Sequence, residues 1–590
     1  AGAPADGADA VAAARAALAA GGAPESLAEA AVTALGERAG EELRADPWQV
    51  LAVPSVRPDQ ADGFAKALLA GAARPDDERR LRALVVWLLE RAAEQGHTAL
   101  EASALHAALG KHSVTDPDGA LRTAVSDGRV LIFHEAEQRP GTPPAAPVAD
   151  DDAPVRLLFA LDRLALAEES LADGLNRLRH TFAADRTSTA DRAEVTSEND
   201  AGWEDATAAA PSPSAAELIR AAAGSGLVAH TGCEAARAEP AALVAAARSL
   251  GLRAYAAAFT EDGRTRLERV LDEAAVTVDG LLAGHEGPGR DEEGALALDL
   301  LTVLDAPQLD VELAATLVES VPDGARLVLS GDPCVLGSAG PGAVFPDLLA
   351  ARVCPQVASR TPDQGPIGEL VSGIGVGELE WVEAPEKEVV IVPVGNAGEA
   401  VHRTVQLVVE SIPRAFGVPA GQTRVITPGH AGATGTRALN AALKARLNPG
   451  PGAFAGFDPG DLVVYVPARG RAVPGQVLSA DAEGLHLDCG GARVLVPRER
   501  VGTAVRHGWA VTAHQAAGRR WPTVVAVLPG DAATVLTRAW IYTAFGRAER
   551  HLSVVQGVDQ ALPRAVADIP ARKRTTRLRS VLREQAADEG

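Results

Sequence analysis

The sequence predicts a multidomain α/β protein: a helical N-terminal region, then two parallel α/β domains, the second carrying a small β-barrel insertion. Three observations lead there. The chain has 590 residues, too many for one hydrophobic core. Hydrophobic residues make up 47% of it, enough for most of the chain to fold. From about residue 215, short apolar runs alternate with helix-like stretches, the pattern of parallel strands joined by helical crossovers.

The elements follow in order. AVAAARAAL, SLAEAAVTALGERAG and ERRLRALVVWLLERAAEQG carry apolar residues at helical spacing, so residues 1–125 read as all-helical. Gly21-Gly22-Ala23-Pro24 and Val53-Pro54-Ser55-Val56-Arg57-Pro58 interrupt them. Helix, tight turn, helix is the form of a helix-hairpin-helix module, whose turns offer backbone N–H groups to phosphate without reading sequence. An ordinary helical bundle is the competing reading. We assign 1–135 to this region and 136–213 to a linker. The linker holds the Pro-rich acidic run 138–153, one amphipathic helix over 156–178, and an aperiodic acidic stretch, 183–213, expected to be disordered.

LVAHT, RAYAAAF, DLLTVLD and RLVLSGD are the expected strands of the first α/β domain, 214–390. EVVIVPV, TRVITPG, VVAVLPG and HLSVVQG belong to the second, 391–560, with EVVIVPV reading across the boundary. Between them GDLVVYV, GQVLSA, GLHLDCG and ARVLVPRE are short strands with Gly turns, expected to form a barrel over 456–505. Residues 561–590, with ARKRTTRLRSVLRE, read as a basic tail.

A net charge of −22 argues against a protein that coats nucleic acid over its whole surface, so any such contact needs a local basic patch. Aromatics are only 3%, so helices are expected to pack through small residues. The four cysteines lie far apart without a CxxC pair, which argues against a metal site and for a reducing cytosol. No apolar run approaches 18 residues and no leader pattern is present, so no membrane partner is expected. Methionine is absent, which points to a processed or truncated chain.

One stretch raises a chemical question. Residues 227–243, LVAHTGCEAARAEPAAL, have the layout of a strand, a phosphate loop and a helix. A working loop of that kind ends in Gly-Lys-Ser/Thr, where Lys holds the phosphates and the hydroxyl holds Mg²⁺. Here Arg237-Ala238-Glu239 stand instead.

Later segments carry a resemblance. RLVLSGDPCVLGSAGPGAVFPDLL (326–349), ITPGHAGATGTRALNAALKARLNPG (426–450), VTAHQAAGRRWPTVVAVLP (511–529) and LTRAWIYTAFGRAERHLSVVQG (536–557) resemble, in order, motifs of the RecD/TraA-type helicases of superfamily 1. AEQGHTAL (93–100) is similar to a Gly-His-Thr stretch of that family's helix-hairpin-helix region. The resemblance runs over nearly the whole chain. It implies two RecA-like P-loop-type domains, an SH3-like β-barrel insertion, and descent from enzymes that move 5′ to 3′ on DNA with ATP.

Carried over residue by residue, it implies a degenerate ATP site. The nucleotide-binding positions fall on Thr231, Gly232, Ala238 and Glu239, with the loop Lys replaced by Ala238 and its Thr by Glu239. The metal-binding Asp falls on Leu304 and the catalytic Glu on Asp305. The Gln of the third motif falls on Val335, and a His-Arg pair on Asp279-Gly280. Arg360 and Arg547 fall on arginines of the family, and Asp332, Tyr542 and Thr543 keep their context. Asp305, Arg360 and Arg547 are therefore the remnant catalytic positions. Each also has a plainer reading, Asp305 as the cap of a turn and the arginines as ion pairs with Asp305 or Glu239. Glu239 in place of a hydroxyl is expected to repel phosphates.

Phosphoryl transfer needs a Lys and a metal on the β/γ-phosphates. The resemblance thus implies a RecD-like homologue that binds single-stranded or tailed DNA in repair or recombination, without efficient ATP hydrolysis and without a cofactor. Mg²⁺-ATP would enter only if the chain were an active ATP-dependent 5′–3′ helicase. A non-catalytic scaffold subunit, docking other DNA-processing proteins, is the third reading. DNA-binding candidates are His514, Arg519, Arg520, Trp521, Arg572, Lys573 and Arg574, with a cytoplasmic, nucleoid-associated location.

Overall fold

A computed structural model describes residues 5–136, 155–187, 193–380, 382–468 and 471–588. The Pro-rich run 138–153 lies outside the described residues. The chain divides into two units, Ala1–Glu169 with Arg574–Gly590, and Ser170–Lys573.

In the first unit, helices Ala5–Ala20, Ala28–Leu35, Ala39–Ala45, Pro58–Leu68 and Glu78–Ala93 are joined by short turns. They pack through small residues, as the low aromatic content predicts: Ala14, Ala17 and Leu18 are fully buried with Ala39 and Leu43. A Cβ on Gly40 would lie 2.6 Å from the Ala13 carbonyl carbon, so only glycine allows that approach. The few large residues are anchored by polar partners. Trp48 Nε1 donates to Asp62 at 2.9 Å, and the buried Arg80 pairs with the same carboxylate at 2.7 Å.

The unit also holds a three-stranded antiparallel sheet: β1 (Ala99–Glu101), β2 (Val130–Ala136) and β3 (Val155–Leu161), in the order β1-β3-β2. This corrects two expectations. Residues 1–125 are not all-helical, since β1 lies within them, and the helix expected over 156–178 begins as a strand and is helical over Asp162–Thr187. The run Leu157–Leu161 is apolar enough to satisfy either period, and pairing on both sides decides for the strand.

The C-terminal residues are a third correction. Thr98 N–H and Ala99 N–H donate to Thr575 O at 3.0 and 3.3 Å, and Thr575 N–H donates to His97 Nδ1 at 3.0 Å. Glu168, fully buried, accepts from Thr98 Oγ1, Arg577 N–H and Leu578 N–H at 2.7, 3.0 and 3.2 Å. A helix follows over Leu578–Asp588. The segment read as a basic tail is thus folded into the first unit from Arg574 onward.

The second unit contains the first parallel sheet: β4 (Leu227–Thr231), β5 (Ala254–Ala258), β6 (Ala275–Thr277), β7 (Leu300–Val303), β8 (Arg326–Gly331) and β9 (Gln356–Ala358). Its order is β6-β5-β7-β8-β4-β9. The helix Ala193–Ala208 stands where disorder was expected, and the helix Pro213–Gly224 follows at the start of the domain. Trp203, 5% exposed, plugs into the core beneath this sheet, which gives an acidic segment the apolar anchor that composition alone hides. Residues 188–192 of the expected disordered stretch lie outside the described residues.

The second parallel sheet begins with β10 (Val389–Pro393) and β11 (Thr423–Thr427). A five-stranded antiparallel sheet follows: β12 (Leu462–Tyr465), β13 (Val473–Ala480), β14 (Gly484–Cys489), β15 (Ala492–Pro497) and β16 (Val505–His507), ordered β15-β14-β13-β12-β16. Then β17 (Ala510–Thr512), β18 (Trp521–Leu528) and β19 (Ala548–Gln556) complete the parallel order β10-β19-β18-β11-β17. Ile367, Leu370, Val371 and Ile374 of the helix Gly365–Val376 join the core of this second sheet, so its domain recruits residues well before 391.

The inserted sheet is clamped at its root. Asp461, fully buried, accepts from Lys444 Nζ at 2.8 Å, Asn448 Nδ2 at 2.7 Å, Asp458 N–H at 2.9 Å and His507 Nε2 at 3.1 Å.

Candidate nucleotide-type cleft

In open parallel sheets, functional loops gather beyond the carboxyl ends of the strands. Here that region holds a cavity of about 50 Å³. It is lined by the loop after β4, Asp305 after β7, Asp332 after β8, Gly518 after β17, and Thr543 and Arg547 from the helix Arg538–Phe545 and the turn after it.

The strand, loop and helix read from residues 227–243 are all present. β4 ends at Thr231, a short 3₁₀ turn covers Ala235–Arg237, and a helix runs over Ala238–Ser249. Gly232 is required by space, since a Cβ there would lie 2.4 Å from Ala236 Cβ. Two backbone donors of the loop are already engaged: Gly232 N–H donates to Gly331 O at 3.2 Å and Ala235 N–H to Asp363 Oδ1 at 2.7 Å.

Two of the cavity's charges, Arg237 and Asp305, are paired with each other. Arg237 Nη1 lies 2.6 Å from Asp305 Oδ1, with Nη2 3.4 Å from Oδ2. Burial alone would push the Asp305 carboxyl up, but the Arg237 charge and hydrogen bond outweigh it and hold it below the usual carboxylate range. Asp305 sits in the left-handed region at φ +58°, uncommon for a residue with a Cβ. Arg266 pairs with Glu234 and donates to Gly518 O at 3.1 Å. Arg547 is buried and donates to the carbonyls of Thr543 at 3.0 Å and Arg519 at 3.4 Å. Asp332 accepts from Tyr542 Oη at 2.5 Å and Cys334 N–H at 2.8 Å, while burial pushes its carboxyl up.

Glu239 differs from expectation. It is 2% exposed and lines no part of the cavity. Its carboxylate accepts from Thr361 Oγ1 at 2.7 Å, Ser359 Oγ at 2.8 Å and His230 Nε2 at 2.9 Å. Burial drives His230 below its ordinary value, so the neutral ring holds its proton toward Glu239 and accepts from Ser330 Oγ at 2.8 Å. Glu239 therefore does not confront the cavity with a bare charge; the Arg237–Asp305 pair fills that space instead.

Of the other expected residues, Ala238 opens the helix and Thr231 ends the strand, both bordering the loop. Asp305 and Arg547 share the cavity. Arg360 does not, because its exposed side chain pairs with Glu217 at 3.1 Å. His514 is exposed on the short helix Ala513–Ala516. Arg519 is buried, with Nη2 donating to Ala472 O at 2.9 Å. Arg520 donates Nη2–H to Ala548 O at 2.7 Å, and its N–H goes to Asp262 at 3.2 Å. Trp521 is half-buried, and Arg572 and Lys573 are exposed, with Arg574 half-buried. Arg237, Glu234, Arg266 and Asp363 were missed. Arg237 was visible in the quoted loop, but at a position where alignment with working loops places glycine.

Among the described residues, no group of three or more His, Cys, Asp or Glu could hold a metal ion, and no helix is long and apolar enough to cross a membrane.

Known proteins provide three family matches. Residues 8–99 match the ATP-dependent RecD2 DNA helicase HHH domain, 203–358 an AAA domain, and 507–555 the UvrD-like helicase C-terminal domain. The ATP-dependent RecD2 DNA helicase of Deinococcus radiodurans is 29% identical over 504 residues, covering 80% of this chain and 65% of that protein. The RecBCD enzyme subunit RecD of Mycobacterium tuberculosis is 28% identical over 351 residues, covering 53% of this chain and 59% of that one. The chain thus spans less than two thirds of these relatives' length. Among solved structures, one of two coordinating Pif1 helicases at forked double-stranded DNA overlaps with a TM-score of 0.36 at 11% identity, covering 59% of this chain and 93% of that chain.

Proposed function

The chain belongs to the RecD-like helicases of superfamily 1, and from that premise we propose that it binds single-stranded or tailed DNA without hydrolysing ATP efficiently. The observation that carries the second half is the Arg237–Asp305 pair, 2.6 Å, in the place where a metal-bound triphosphate would need charge and room. A cavity of about 50 Å³ is small beside the roughly 300–1,000 Å³ of small-molecule sites. Ala238 supplies no cation, and Asp363 holds an N–H of the loop. These residues do not fit Mg²⁺ with a nucleoside triphosphate.

DNA binding rests on family membership and on the exposed cations Arg572 and Lys573. Arg519 and Arg520, engaged by carbonyls, can reach phosphate only with local rearrangement. The inserted five-stranded sheet, with its own core of Val463, Val477, Leu485 and Leu487, supports an SH3-like assignment. A role in repair or recombination on the nucleoid goes with this reading.

Fluorescence anisotropy with labelled single-stranded, tailed and blunt DNA tests it. Tailed and single-stranded DNA are expected to bind more tightly than blunt duplex, with affinity falling steeply as salt rises. No binding at low salt would favour the scaffold reading.

A further inference from the structure

In the first unit, the chain from 78 to 161 runs through the helix Glu78–Ala93, β1, the helices Ala102–Lys111 and Pro117–Ser126, then β2 and β3. The sheet is antiparallel and ordered β1-β3-β2. Three helices closed by a three-stranded sheet of that order make the winged-helix arrangement, a helix-turn-helix backed by a β-ribbon. Its second and third helices lie beyond residues 8–99, the span that matches the HHH domain.

The motif is built locally. Leu105 and Leu109 of the second helix, Val114 in the turn, and Ala120, Leu121 and Ala124 of the third are buried. Ser113 takes the left-handed conformation at φ +61°, and Val114 N–H returns to Leu109 O at 3.3 Å, which ends the second helix. Asp116 starts the third by accepting from Gly119 N–H at 2.9 Å. With Ala120, Leu121 and Ala124 turned inward, Asp118, Arg122 and Ser126 form one exposed stripe, in steps of about 6 Å along the helix.

The acids around this stripe have partners. Asp116 is the cap, Asp118 lies 3.0 Å from His106 Nε2, and Asp127 pairs with Arg82 at 3.2 Å. The cations are freer. Arg122 lies 3.7 Å from Asp116 with its side chain 73% exposed. Arg129 is exposed and donates to the neutral Gln49 Oε1 at 3.2 Å. Lys111 is exposed at the end of the second helix, with no ion pair among the described residues.

We propose that this module holds duplex DNA, with the helix Pro117–Ser126 in the major groove, Arg122 at the base edges, and Lys111 and Arg129 on the flanking phosphates. A groove about 12 Å wide admits a helix, and Arg is the side chain that most often reads guanine there. Lysine and arginine on phosphates fix the register. The residues joining β2 to β3 are no part of this surface. The proposal rests on the DNA-binding reading and adds to it a site for the double-stranded arm of a tailed DNA.

Fluorescence anisotropy on the full chain tests it with three labelled ligands: an oligothymidylate, the same strand carrying a DNA duplex arm, and the same strand carrying an RNA duplex arm. The DNA arm is expected to tighten binding on the order of tenfold at low salt. The RNA arm should give little of that gain, because the major groove of A-form RNA is too deep and narrow for a helix. Lys111→Glu with Arg122→Glu should abolish the gain while leaving Tm and oligothymidylate affinity unchanged, since both side chains are exposed. Oligothymidylate binding with no gain from the DNA arm, an equal gain from the RNA arm, or a gain that survives the double variant would overturn the site and leave the single-strand reading standing. A DNA duplex bound through Lys111 and Arg122 by a chain that ignores oligothymidylate upholds the site and removes that reading alone. Binding of none of the three ligands overturns both.

Discussion

Arg237 Nη1 and Asp305 Oδ1 lie 2.6 Å apart at the carboxyl end of the first sheet, a cation and an anion of one chain filling each other's need for a partner. Both side chains are largely buried, at 17% and 12% exposure. Removing one partner of such a pair strands the other in a poorly solvated place.

Arg237→Ala is therefore expected to destabilise the second unit by about 3 kcal/mol. Arg237→Ala with Asp305→Ala should cost clearly less than the sum of the single changes, because neither charge is left alone. Urea unfolding of the four proteins measures both; additive losses would show that the two side chains act independently.

The pair also fixes a pH dependence. The folded-state value of Asp305 is depressed, so its contribution is complete above the ordinary carboxylate range and is lost as pH falls through the folded value. The stability difference between wild type and Asp305→Asn should be largest near pH 7 and shrink below about pH 4. Unfolding curves across that range check this. A difference that grew on acidification would contradict the sign.

The C-terminal arginines should separate into two kinds. Arg572→Ala with Lys573→Ala is expected to lower the salt slope of DNA binding by up to about two units with little change in Tm. Arg577, 7% exposed in its side chain and paired with Glu169 at 3.1 Å, is structural, and Arg577→Ala should lower Tm. Anisotropy against salt and thermal melts distinguish them. An unchanged slope in the double variant would remove these residues from the interface.

At the root of the inserted sheet, Lys444→Ala leaves the buried Asp461 without its cation. A loss of about 3 kcal/mol is expected. Hydrogen exchange should speed up in β12 and β16, which meet at this point, before it does so in β18. Uniform acceleration would mean that the clamp serves the whole unit.

Most strands of both parallel sheets could be read in the sequence because a fully buried strand leaves a short apolar run between turn residues, as in LVAHT and RLVLSGD. β3 could not, because Val155–Leu161 runs directly into the helix from Asp162 and its partners are distant in sequence. The helix Ala193–Ala208 hid behind acidic composition, with Trp203 as its one large apolar anchor. At the cavity, the loop and Asp305 were legible from motif order. The roles of Arg237 and Asp363 were not, since pairing across 68 and 128 positions leaves no local pattern. Glu239 stands where the resemblance implies a hydroxyl, but the direction of its side chain depends on Ser359 and Thr361, far along the chain.

The central proposal is that the chain's own charges, Arg237 and Asp305 first among them, close this cleft to Mg²⁺-ATP. Mg²⁺-ATP binding by calorimetry, together with phosphate release in the presence and absence of single-stranded DNA, tests it most directly on the wild-type chain. We expect no saturable Mg²⁺-ATP binding, no DNA-stimulated phosphate release above background, and DNA affinity indifferent to ATP. DNA-stimulated hydrolysis that Arg547→Ala abolishes would contradict the account, and would mean that the Arg237–Asp305 pair opens to admit a triphosphate.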